Sequence, residues 1–413
     1  MFSSGFTYLL WANIPCPQDA TRSIYVDSNS AQLRLRLPEQ MIEEDLLNRN
    51  ENTQRGTCLV TGGAGFIGCS ASRMLADRFD RVVALDSLHP QVHPRRRRPQ
   101  ALDRRVELVV GDVTQPAVWD ALLEQVAPRV VLHLAAETGT GQSLLEATRH
   151  AHVNVTGTTQ MLDAFARHGK LPQRVVLTSS RAVYGEGAWR DRQTSALVYP
   201  GQRTRTQLES GQWEFAGLEP VPFSAETTDA RPISVYGATK LAQEQVLRAW
   251  ACAFGIEASV LRLQNVYGPG QSLHNPYTGI CTLFARLARA GKSLPVYEDG
   301  LIVRDFVFID DVVAALAASL RCETSALAYD IGSGNPTTVT HLADVIARLY
   351  GAPSPHISGA FRHGDVRHAA CSIEHAKSAL AWQPKVSLAD GIRKLCAWID
   401  AEVEPARQNA TAA

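Results

Sequence analysis

Short apolar runs and amphipathic stretches alternate along the chain from Gly56 onward. A brief apolar run bounded by turn residues predicts a buried strand, and apolar positions at helical spacing predict an amphipathic helix. The predicted strands are 57–61, 81–86, 106–110, 129–133, 174–178 and 258–263. The predicted helices include 66–78, 145–168 and 236–254. Because strands that alternate with helices are joined by right-handed crossovers, the predicted fold class is α/β, a doubly wound parallel sheet of the Rossmann type.

Two stretches depart from this alternation. Residues 1–55 hold many turn-forming residues and one alternating run, 31–37, that predicts a strand. We interpret them either as a dispensable extension or as the result of an upstream start codon, and a genuine extra module is the remaining alternative. If residues 1–40 lie outside the functional unit, a chain that begins at Met41 is expected to fold and to remain active. The polar stretch 186–232 is too long for an idle connection. It is expected to lie over the reacting centre, where Trp189, Tyr199, Trp213 and Phe215 could pack over a sugar or against the lobe. The alternative is a surface loop with its own small hydrophobic cluster.

The same pattern divides the rest of the chain. A Rossmann domain is predicted over 56–268, with 304–333 returning to it. Residues 269–303 and 334–402 mix short helices with loops, and 403–413 form a tail. In open α/β folds ligands bind at the carboxyl edge of the sheet, so this mixed region is predicted to be a substrate-binding lobe above that edge.

Composition narrows the classes of protein. Of 413 residues, 45% are apolar and 20% are charged, as in ordinary globular enzymes. Forty-one basic residues balance 41 acidic ones, which argues against nucleic acid as a partner, and no apolar run is long enough to span a membrane. Eight cysteines without a close pair, and histidines without ligand spacing, predict no metal and a reducing, cytoplasmic location. No basic segment precedes the apolar run 6–14, so a secretory signal is not expected.

A glycine-rich turn joins the first predicted strand to the first helix. Its sequence, Thr61 to Gly68, places Gly62, Gly65 and Gly68 three residues apart. Glycines at this spacing permit a tight turn, close approach of the backbone to a diphosphate, and close packing of helix on sheet. Backbone N–H groups at the start of the helix then face the negative charge. The motif predicts a dinucleotide-binding site.

The second predicted strand ends at Asp86, 18 residues after the last of these glycines. A carboxylate there accepts hydrogen bonds from an adenosine ribose and repels a 2′-phosphate, which favours NAD over NADP. The arginine run 95–98 is the alternative, because arginines near this site could hold a 2′-phosphate. Asp112 and Val113, after the third strand, are expected along the adenine edge.

Tyr236 and Lys240 are four residues apart on a predicted helix and therefore share a face. An ammonium beside a phenol stabilises the phenolate, so the lysine is expected to lower the pKa of the tyrosine and to make it a general acid/base. Ser180, supported by Ser179, follows another strand and could donate a hydrogen bond to a substrate oxygen. Arg304 and Arg362 could fork onto a diphosphate, and Asn265 and Asn275 could bind phosphate oxygens or a nucleobase.

At this point the chain resembles the extended short-chain dehydrogenases/reductases, the NAD-dependent nucleotide-sugar epimerases and dehydratases. The resemblance covers about 55–402. The motifs that carry it, in order, are Thr61–Gly68, His133-Leu134-Ala135-Ala136, Asn154-Val155-Thr156-Gly157-Thr158, Ser179–Gly185, Tyr236–Lys240, Asn265–Pro269, Arg304–Val307 and Trp382-Gln383-Pro384.

The resemblance assigns expected roles to individual residues. It implies that Ser180, Tyr236 and Lys240 are catalytic and that the cofactor is NAD. The residues expected to bind the cofactor are Gly62, Gly65, Phe66, Ile67, Gly68, Asp86, Asp112, Val113, Ala135, Ala136, Asn154, Tyr236 and Lys240. The residues expected to bind a nucleotide-diphosphate sugar are Thr138, Ser180, Arg181, Asn265, Asn275, Arg304 and Arg362.

Finer features resemble the dTDP-L-rhamnose 4-epimerases and related enzymes of dTDP-6-deoxy-L-hexoses. They are Pro90–His93, Gly141–Ser143, Ser180-Arg181, Gly185–Gly187, Asn275–Gly279 and Tyr297–Gly300. One departure is informative: the 4,6-dehydratases of this family carry an Asp-Glu pair after the active-site hydroxyl residue, and this chain has Arg181 and Ala182 there. Without that pair dehydration is disfavoured, and chemistry at C4 remains.

The predicted reaction is epimerisation at C4 through a transient ketone. Tyr236 takes the hydroxyl proton, NAD⁺ takes the hydride, and the ketone turns over before both return to the other face. A reductase of 4-keto sugars that consumes NAD(P)H needs the same three residues and remains an alternative. A non-catalytic dinucleotide-binding scaffold is a further alternative, although a scaffold has no need of them. The predicted helices 145–168 and 236–254 resemble the pair through which family members form two-fold dimers, so a homodimer is expected.

Overall fold

A seven-stranded parallel sheet forms the centre of the computed structural model, which describes residues 56–273, 275, 279–321 and 328–411. The order of its strands is β13-β9-β5-β4-β1-β2-β3. Their bounds are β1 Thr57–Thr61, β2 Arg81–Asp86, β3 Glu107–Val110, β4 Pro128–His133, β5 Arg174–Ser180, β9 Glu257–Leu263 and β13 Ala328–Ile331. The predicted doubly wound parallel sheet is confirmed. The extension 1–55, with its expected strand 31–37, lies outside the described residues.

Helices cover both faces of this sheet. Their bounds are α1 Phe66–Ala76, α2 Pro116–Gln125, α3 Thr140–Leu145, α4 Ala147–Ala151, α5 Gly157–Arg167, α6 Arg205–Glu209, α7 Val235–Phe254, α8 Ile280–Arg289, α9 Ile309–Ser319, α10 Val339–Tyr350, α11 Glu374–Leu380 and α12 Leu388–Thr411. One face packs with α2, α5 and α7 around Trp119 and Phe165. The other packs with α1, α9 and the substrate lobe in one continuous core. Because strands buried on both faces consist of apolar runs, the sequence pattern located them well.

The predicted helix 145–168 is broken. Helix α3 ends just before Glu146, whose φ and ψ are −125° and 45°, and a π-helical turn over His152–Thr156 separates α4 from α5. The Thr158 hydroxyl, at the start of α5, donates to the carbonyl of Asn154 inside this turn at 2.6 Å. A Cβ at Gly157 would lie 2.7 Å from Val113 Cγ2, so the helix also approaches the loop after β3 closely. Apolar periodicity alone does not report such local contacts.

The predicted helix 236–254 is confirmed as α7, with Ser234 capping its start and Gly255 (φ 66°) at its end. Segment 304–333 divides between two sheets: β12 lies in a small mixed sheet, whereas β13 returns to the main sheet. The strands outside the main sheet are β6 Trp189–Asp191, β7 Leu197–Val198, β8 Leu218–Pro220, β10 Asn265–Tyr267, β11 Pro295–Val296, β12 Val303–Phe308, β14 Pro336–Thr338, β15 His356–Ile357 and β16 His368–Ala369. The backbone of the predicted tail 403–413 continues α12 as far as Thr411.

The insertion 186–232 is a small folded unit. Strands β7, β6 and β8 form an antiparallel sheet, and α6 lies between β7 and β8 along the chain. The rings of Trp189 and Phe215 pack edge to face with centroids 4.9 Å apart, and Trp213 packs against Phe361 of the lobe at 6.2 Å. The insertion therefore has its own aromatic cluster and also rests on the lobe.

Candidate active site

The glycine turn has the shape that a dinucleotide diphosphate requires. Gly62 has a φ of 65°, and a Cβ there would lie 2.7 Å from the backbone N of Ala135, so the turns after β1 and β4 touch. A Cβ at Gly68 would lie only 2.5 Å from the Gly63 carbonyl oxygen, so glycine at this position allows the helix to pack against the turn. At Gly65 it would meet only the Gly62 carbonyl, at 3.2 Å, and α1 begins there without a side-chain cap. The first N–H groups of α1 therefore have no capping side chain, and the space beside Gly65 is open. A diphosphate fits such a helix start.

Asp86 braces this turn. Its Oδ2 accepts from the Ala64 N–H at 3.0 Å and its Oδ1 from the Leu88 N–H at 2.8 Å. The carboxylate thus lies at the end of β2, where an adenosine ribose is expected, and it also holds the phosphate loop. The alternative anion site, the arginine run 95–98, is exposed. Asp112 accepts from the backbone N–H and hydroxyl of Thr114, and the neighbouring Val113 is buried.

Replacing Asp86 with Ala is expected to weaken NAD binding and to narrow the preference for NAD over NADP. The variant loses the ribose acceptor, the repulsion of a 2′-phosphate and one brace of the turn. Titration calorimetry with both cofactors measures the effect. Asp86→Asn is the matched control, because it keeps an acceptor for one N–H but removes the charge. A wild-type protein that binds NADP more tightly than NAD would contradict this assignment and implicate the arginine run.

Asn154 fastens the cofactor loop to the catalytic helix. Its side chain is fully buried; Oδ1 accepts from the Glu137 N–H at 2.8 Å, and Nδ2 donates to the Glu137 carbonyl at 3.1 Å and to Thr239 Oγ1 at 2.9 Å. Both amide hydrogens are used within the protein. Asn154 therefore positions the loop that carries Ala135 and Ala136. The sequence predicted a contact with the cofactor for Asn154 but not this positioning role.

Ser180 and Tyr236 meet at the carboxyl edge of the sheet. Ser180 ends β5, and its Oγ accepts from the Ala182 N–H at 3.2 Å. Tyr236 lies in the first turn of α7, where its N–H donates to Ser143 Oγ at 3.0 Å. A Cβ at Gly237 would lie only 2.3 Å from the Ala182 carbonyl. Glycine at this position therefore allows α7 to pack closely on the residues after β5, and Ser180 and Tyr236 line the same cavity.

The electrostatics at Tyr236 differ from the prediction. Burial raises the pKa of Tyr236, and the hydrogen bond from Ser180 and the Arg181 guanidinium oppose that rise. Burial also lowers the pKa of Lys240 to about 7, with the Glu244 carboxylate opposing. The expected net lowering of the tyrosine pKa by Lys240 is therefore wrong for this structure, in which desolvation outweighs nearby positive charge.

A buried polar chain behind Lys240 was not predicted. Lys240 Nζ donates to Gln243 Oε1 at 2.5 Å, and Gln243 Nε2 donates to Thr158 Oγ1 at 2.8 Å. His133 continues the chain, with Nε2 2.8 Å from Thr158 Oγ1 and Nδ1 2.6 Å from Thr61 Oγ1. Burial lowers the pKa of His133 to about 3, so its ring is neutral. The only sequence signal was the spacing of Gln243, three residues after the lysine.

A second buried group lies beside it, under the end of β5. Arg262 on β9 binds Glu244 through Nη2 at 2.7 Å and donates from Nη1 to the Tyr184 hydroxyl at 3.0 Å. Ser179 donates to the same Glu244 carboxylate, and Tyr184 donates to Asp330 at 2.9 Å. Glu244 is one helical turn after Lys240, so this group ties the catalytic helix to the strand that carries Ser180.

The reacting centre opens into a cavity of about 190 Å³. Four of the predicted site residues line it: Ser180, Arg181, Tyr236 and Asn265. Arg181 Nε donates to Asn265 Oδ1 at 3.0 Å, so two of these residues hold each other. Burial lowers the pKa of Arg181, and the positive charge of Arg304 lowers it further. A second guanidinium therefore lies near Arg181 at this side of the cavity. Thr140 and the segment 364–366 also line this cavity.

Other predicted substrate residues lie away from this lining. Thr138 is exposed. Arg362 is also exposed, with its guanidinium 5.3 Å from the centroid of the Tyr297 ring. Asn275 Oδ1 accepts from Gln91 Nε2 at 3.2 Å, and Gln91 in turn pairs with Gln142. The structure thus joins three of the finer sequence features into one polar cluster at the rim.

Among the described residues, no group of three or more histidines, cysteines and carboxylates could hold a metal ion. Within the same part of the chain, every helix is too short or too polar to cross a bilayer.

Comparison with known proteins places this architecture. The model of the NAD dependent epimerase/dehydratase family matches residues 58–332. A dTDP-L-rhamnose 4-epimerase of Burkholderia thailandensis is 57% identical over 347 residues, which cover 84% of this chain and 95% of that protein. Among solved structures, a UDP-glucose 4-epimerase of Thermotoga maritima with UDP-glucose has a TM-score of 0.70 at 27% identity, covering 84% of this chain and 99% of that one. A UDP-glucose 4-epimerase of Thermus thermophilus in complex with NAD has a TM-score of 0.66 at 26% identity, covering 83% of this chain and 98% of that one.

These similarities agree with the resemblance found in the sequence. The family match runs from β1 to the residue after β13 and so spans the whole main sheet. The predicted NAD cofactor is confirmed by the family and by the NAD complex among its structural neighbours. The glycine turn that fits a diphosphate is the local feature that this cofactor needs. The chain is a member of the NAD-dependent epimerase/dehydratase family.

Proposed function

We propose that this protein interconverts the C4 epimers of a nucleotide-diphosphate sugar, and that the sugar is a dTDP-6-deoxy-L-hexose such as dTDP-L-rhamnose. The observation that carries the reaction type is that Ser180 and Tyr236 lie together in one cavity. The two residues that follow Ser180 in the chain are Arg181 and Ala182. These residues can move a proton at C4 but offer no carboxyl pair for dehydration. The similarity to the dTDP-L-rhamnose 4-epimerase supports the choice of sugar.

Each residue has a definite task in this proposal. The phenolate of Tyr236 accepts the proton of the C4 hydroxyl and later returns it, while Ser180 donates a hydrogen bond to the same oxygen. Lys240 carries the positive charge that favours the phenolate only when it is protonated, and burial lowers its pKa to about 7. NAD⁺, when bound, supplies a hydride acceptor for C4 and gives the hydride back. The product forms when the hydride returns to the opposite face of the ketone, so no net oxidation or reduction takes place.

The nucleotide is held by the other side of the cavity. Arg181 and Arg304 form a positive wall suited to a diphosphate, and Asn265 orients the first of them. Arg362 and Asn275 lie outside the lining of the reacting centre, so we assign them to the outer part of the substrate, at the rim. A sugar anchored only through its diphosphate leaves the hexose free to turn over.

Incubation with dTDP-L-rhamnose, UDP-glucose and UDP-glucuronate tests the proposal. We expect conversion of dTDP-L-rhamnose to its C4 epimer, followed by NMR, without a change in the absorbance of reduced nicotinamide. Stoichiometric consumption of NADH or NADPH with a 4-keto sugar would instead establish the reductase alternative. Binding of NAD without turnover of any sugar would favour the scaffold.

We also propose that the protein is a homodimer with two-fold symmetry. Leu144 and Leu145, at the end of α3, have relative exposures of 53% and 88%, and they adjoin the helices predicted to pair. Exposed leucines beside a helical face suit an interface between copies. Light scattering at micromolar concentration is expected to give twice the 45.0 kDa of one chain, and a monomer would contradict the proposal.

A further inference from the structure

A buried ionic network joins the insertion to the substrate lobe. We define this insertion–lobe network by Glu186, Arg203, Glu298 and Arg367, whose side chains are each only 1% exposed. Arg203 binds both oxygens of Glu298 at 2.9 Å, and Arg367 Nη1 donates to Glu298 Oε2 at 3.0 Å. Arg203 Nε lies 3.6 Å from Glu186 Oε1. Two guanidiniums from different parts of the chain therefore share one buried carboxylate.

The same network holds one wall of the reacting cavity. Gly364, Asp365 and Val366 line that cavity together with Ser180 and Tyr236. Arg203 Nη2 donates to the Asp365 carbonyl at 2.9 Å. At the far end of the wall, the Arg367 N–H donates to Glu186 Oε2 at 3.0 Å. The insertion thus supplies a partner to the backbone at two points of this segment.

The backbone beside Arg203 is itself fixed. Thr204 caps α6 through a reciprocal pair with Gln207: Thr204 Oγ1 accepts from the Gln207 N–H at 3.2 Å, and the Thr204 N–H donates to Gln207 Oε1 at 2.8 Å. Nη1 of Arg203 also donates to the Trp213 carbonyl at 3.2 Å. A planar guanidinium with forked contacts and a rigid base restrains its partners more tightly than a flexible ammonium would.

The insertion does not reach the cavity with its own aromatic rings. The described residues of the lining adjoin the insertion at Gly185 and Ile233 but include none of Trp189, Tyr199, Trp213 and Phe215. The first sequence expectation, a cover over the reacting centre, is therefore not what these rings do. Trp189 and Phe215 pack on each other, and the Arg231 guanidinium lies over the Tyr199 ring. Trp213 packs against Phe361 of the lobe, which is one of the positions that the sequence predicted for these rings.

We infer that Arg203 is a positioning residue for the sugar pocket: it fixes the wall 364–366 through the Asp365 carbonyl and Glu298, so that the insertion sets the shape of the pocket without touching the sugar. The inference rests on the proposed function, because it takes this cavity to be the site of the hexose. A wall free to shift by about 1 Å would loosen substrate alignment, and such displacements reduce turnover efficiency by up to roughly 10²-fold.

Arg203→Met tests this inference. We expect KM for dTDP-L-rhamnose to rise roughly tenfold, with kcat within about threefold of the wild-type value, because the reacting groups stay in place. NAD affinity should be unchanged. Hydrogen–deuterium exchange should be faster at the amides of 364–367 than in the wild type. Arg205→Met, which removes the neighbouring exposed ion pair with Glu209, is the matched control and should change none of these quantities.

A second variant separates positioning from charge and guards against misfolding. Arg203→Lys keeps the positive charge but cannot bind Glu298 with a fork and still reach the Asp365 carbonyl, so it should restore KM only in part. Full recovery would assign the effect to charge and overturn the inference, as would wild-type KM and exchange in either folded variant. If the wild type converts no sugar in the panel, the proposed function fails, whereas the exchange measurement still decides whether Arg203 holds the wall.

Discussion

Replacing Tyr236 with Phe should abolish sugar conversion while NAD still binds with wild-type affinity. The phenol is the group placed to exchange a proton with C4, since it lines the cavity together with Ser180. Loss of a positioned acid/base typically lowers the rate by about 10²–10⁴-fold. The variant removes one oxygen and leaves the ring packed against its neighbours. Conversion measured by NMR, beside calorimetric binding of NAD, separates the two expectations.

Tyr350→Phe is the control for loss of a tyrosine hydroxyl. Its hydroxyl donates to the Cys396 carbonyl in the lobe at 3.3 Å, away from the reacting centre, so its activity should match that of the wild type. Conversion by Tyr236→Phe at more than about a tenth of the wild-type rate would contradict the acid/base assignment. Another group, such as the Ser180 hydroxyl, would then have to carry the proton.

The largest expected loss of stability follows from Arg262→Met. Arg262 makes the 2.7 Å contact with Glu244, and the side chains of both residues are nearly inaccessible to solvent. Breaking a buried ion pair by removing one partner costs about 3–5 kcal/mol of unfolding free energy, because the remaining charge is left without compensation. Urea denaturation followed by circular dichroism measures the change.

A double variant tests the reason for this loss. Arg262→Met combined with Glu244→Gln removes both charges, so it should recover much of the unfolding free energy. Arg393→Met, which breaks the exposed pair with Asp390, should cost less than about 1 kcal/mol. If the single Arg262 variant were as stable as the wild type, the buried pair would have no net role in folding.

The fold could be read from the sequence because its signals are local. A buried parallel strand needs an uninterrupted apolar run, and β1 and β2 have the bounds that the pattern predicts. The shared helical face of Tyr236 and Lys240 was also within reach, since four residues separate them on α7. The break at Glu146 escaped prediction, because apolar periodicity does not report the backbone angles of a single residue.

The parts of the site that were missed depend on contacts between distant residues. Arg203 meets a carboxylate 95 positions later and a carbonyl 162 positions later, and no local pattern relates them. The net effect on Tyr236 also needed the structure, because the spacing to Lys240 reports proximity but not desolvation. The exposed position of Arg362, with its guanidinium over the Tyr297 ring, also needed the structure.

The core shared by the sheet and the lobe has a mechanical consequence. Val60 and Leu132 of the main sheet belong to the same buried cluster as Leu342 and Trp382 of the lobe. Two bodies that share a hydrophobic core cannot swing apart on a hinge without exposing it to water. The sheet and the lobe should therefore move as one body, and thermal unfolding of this part should occur in one cooperative step.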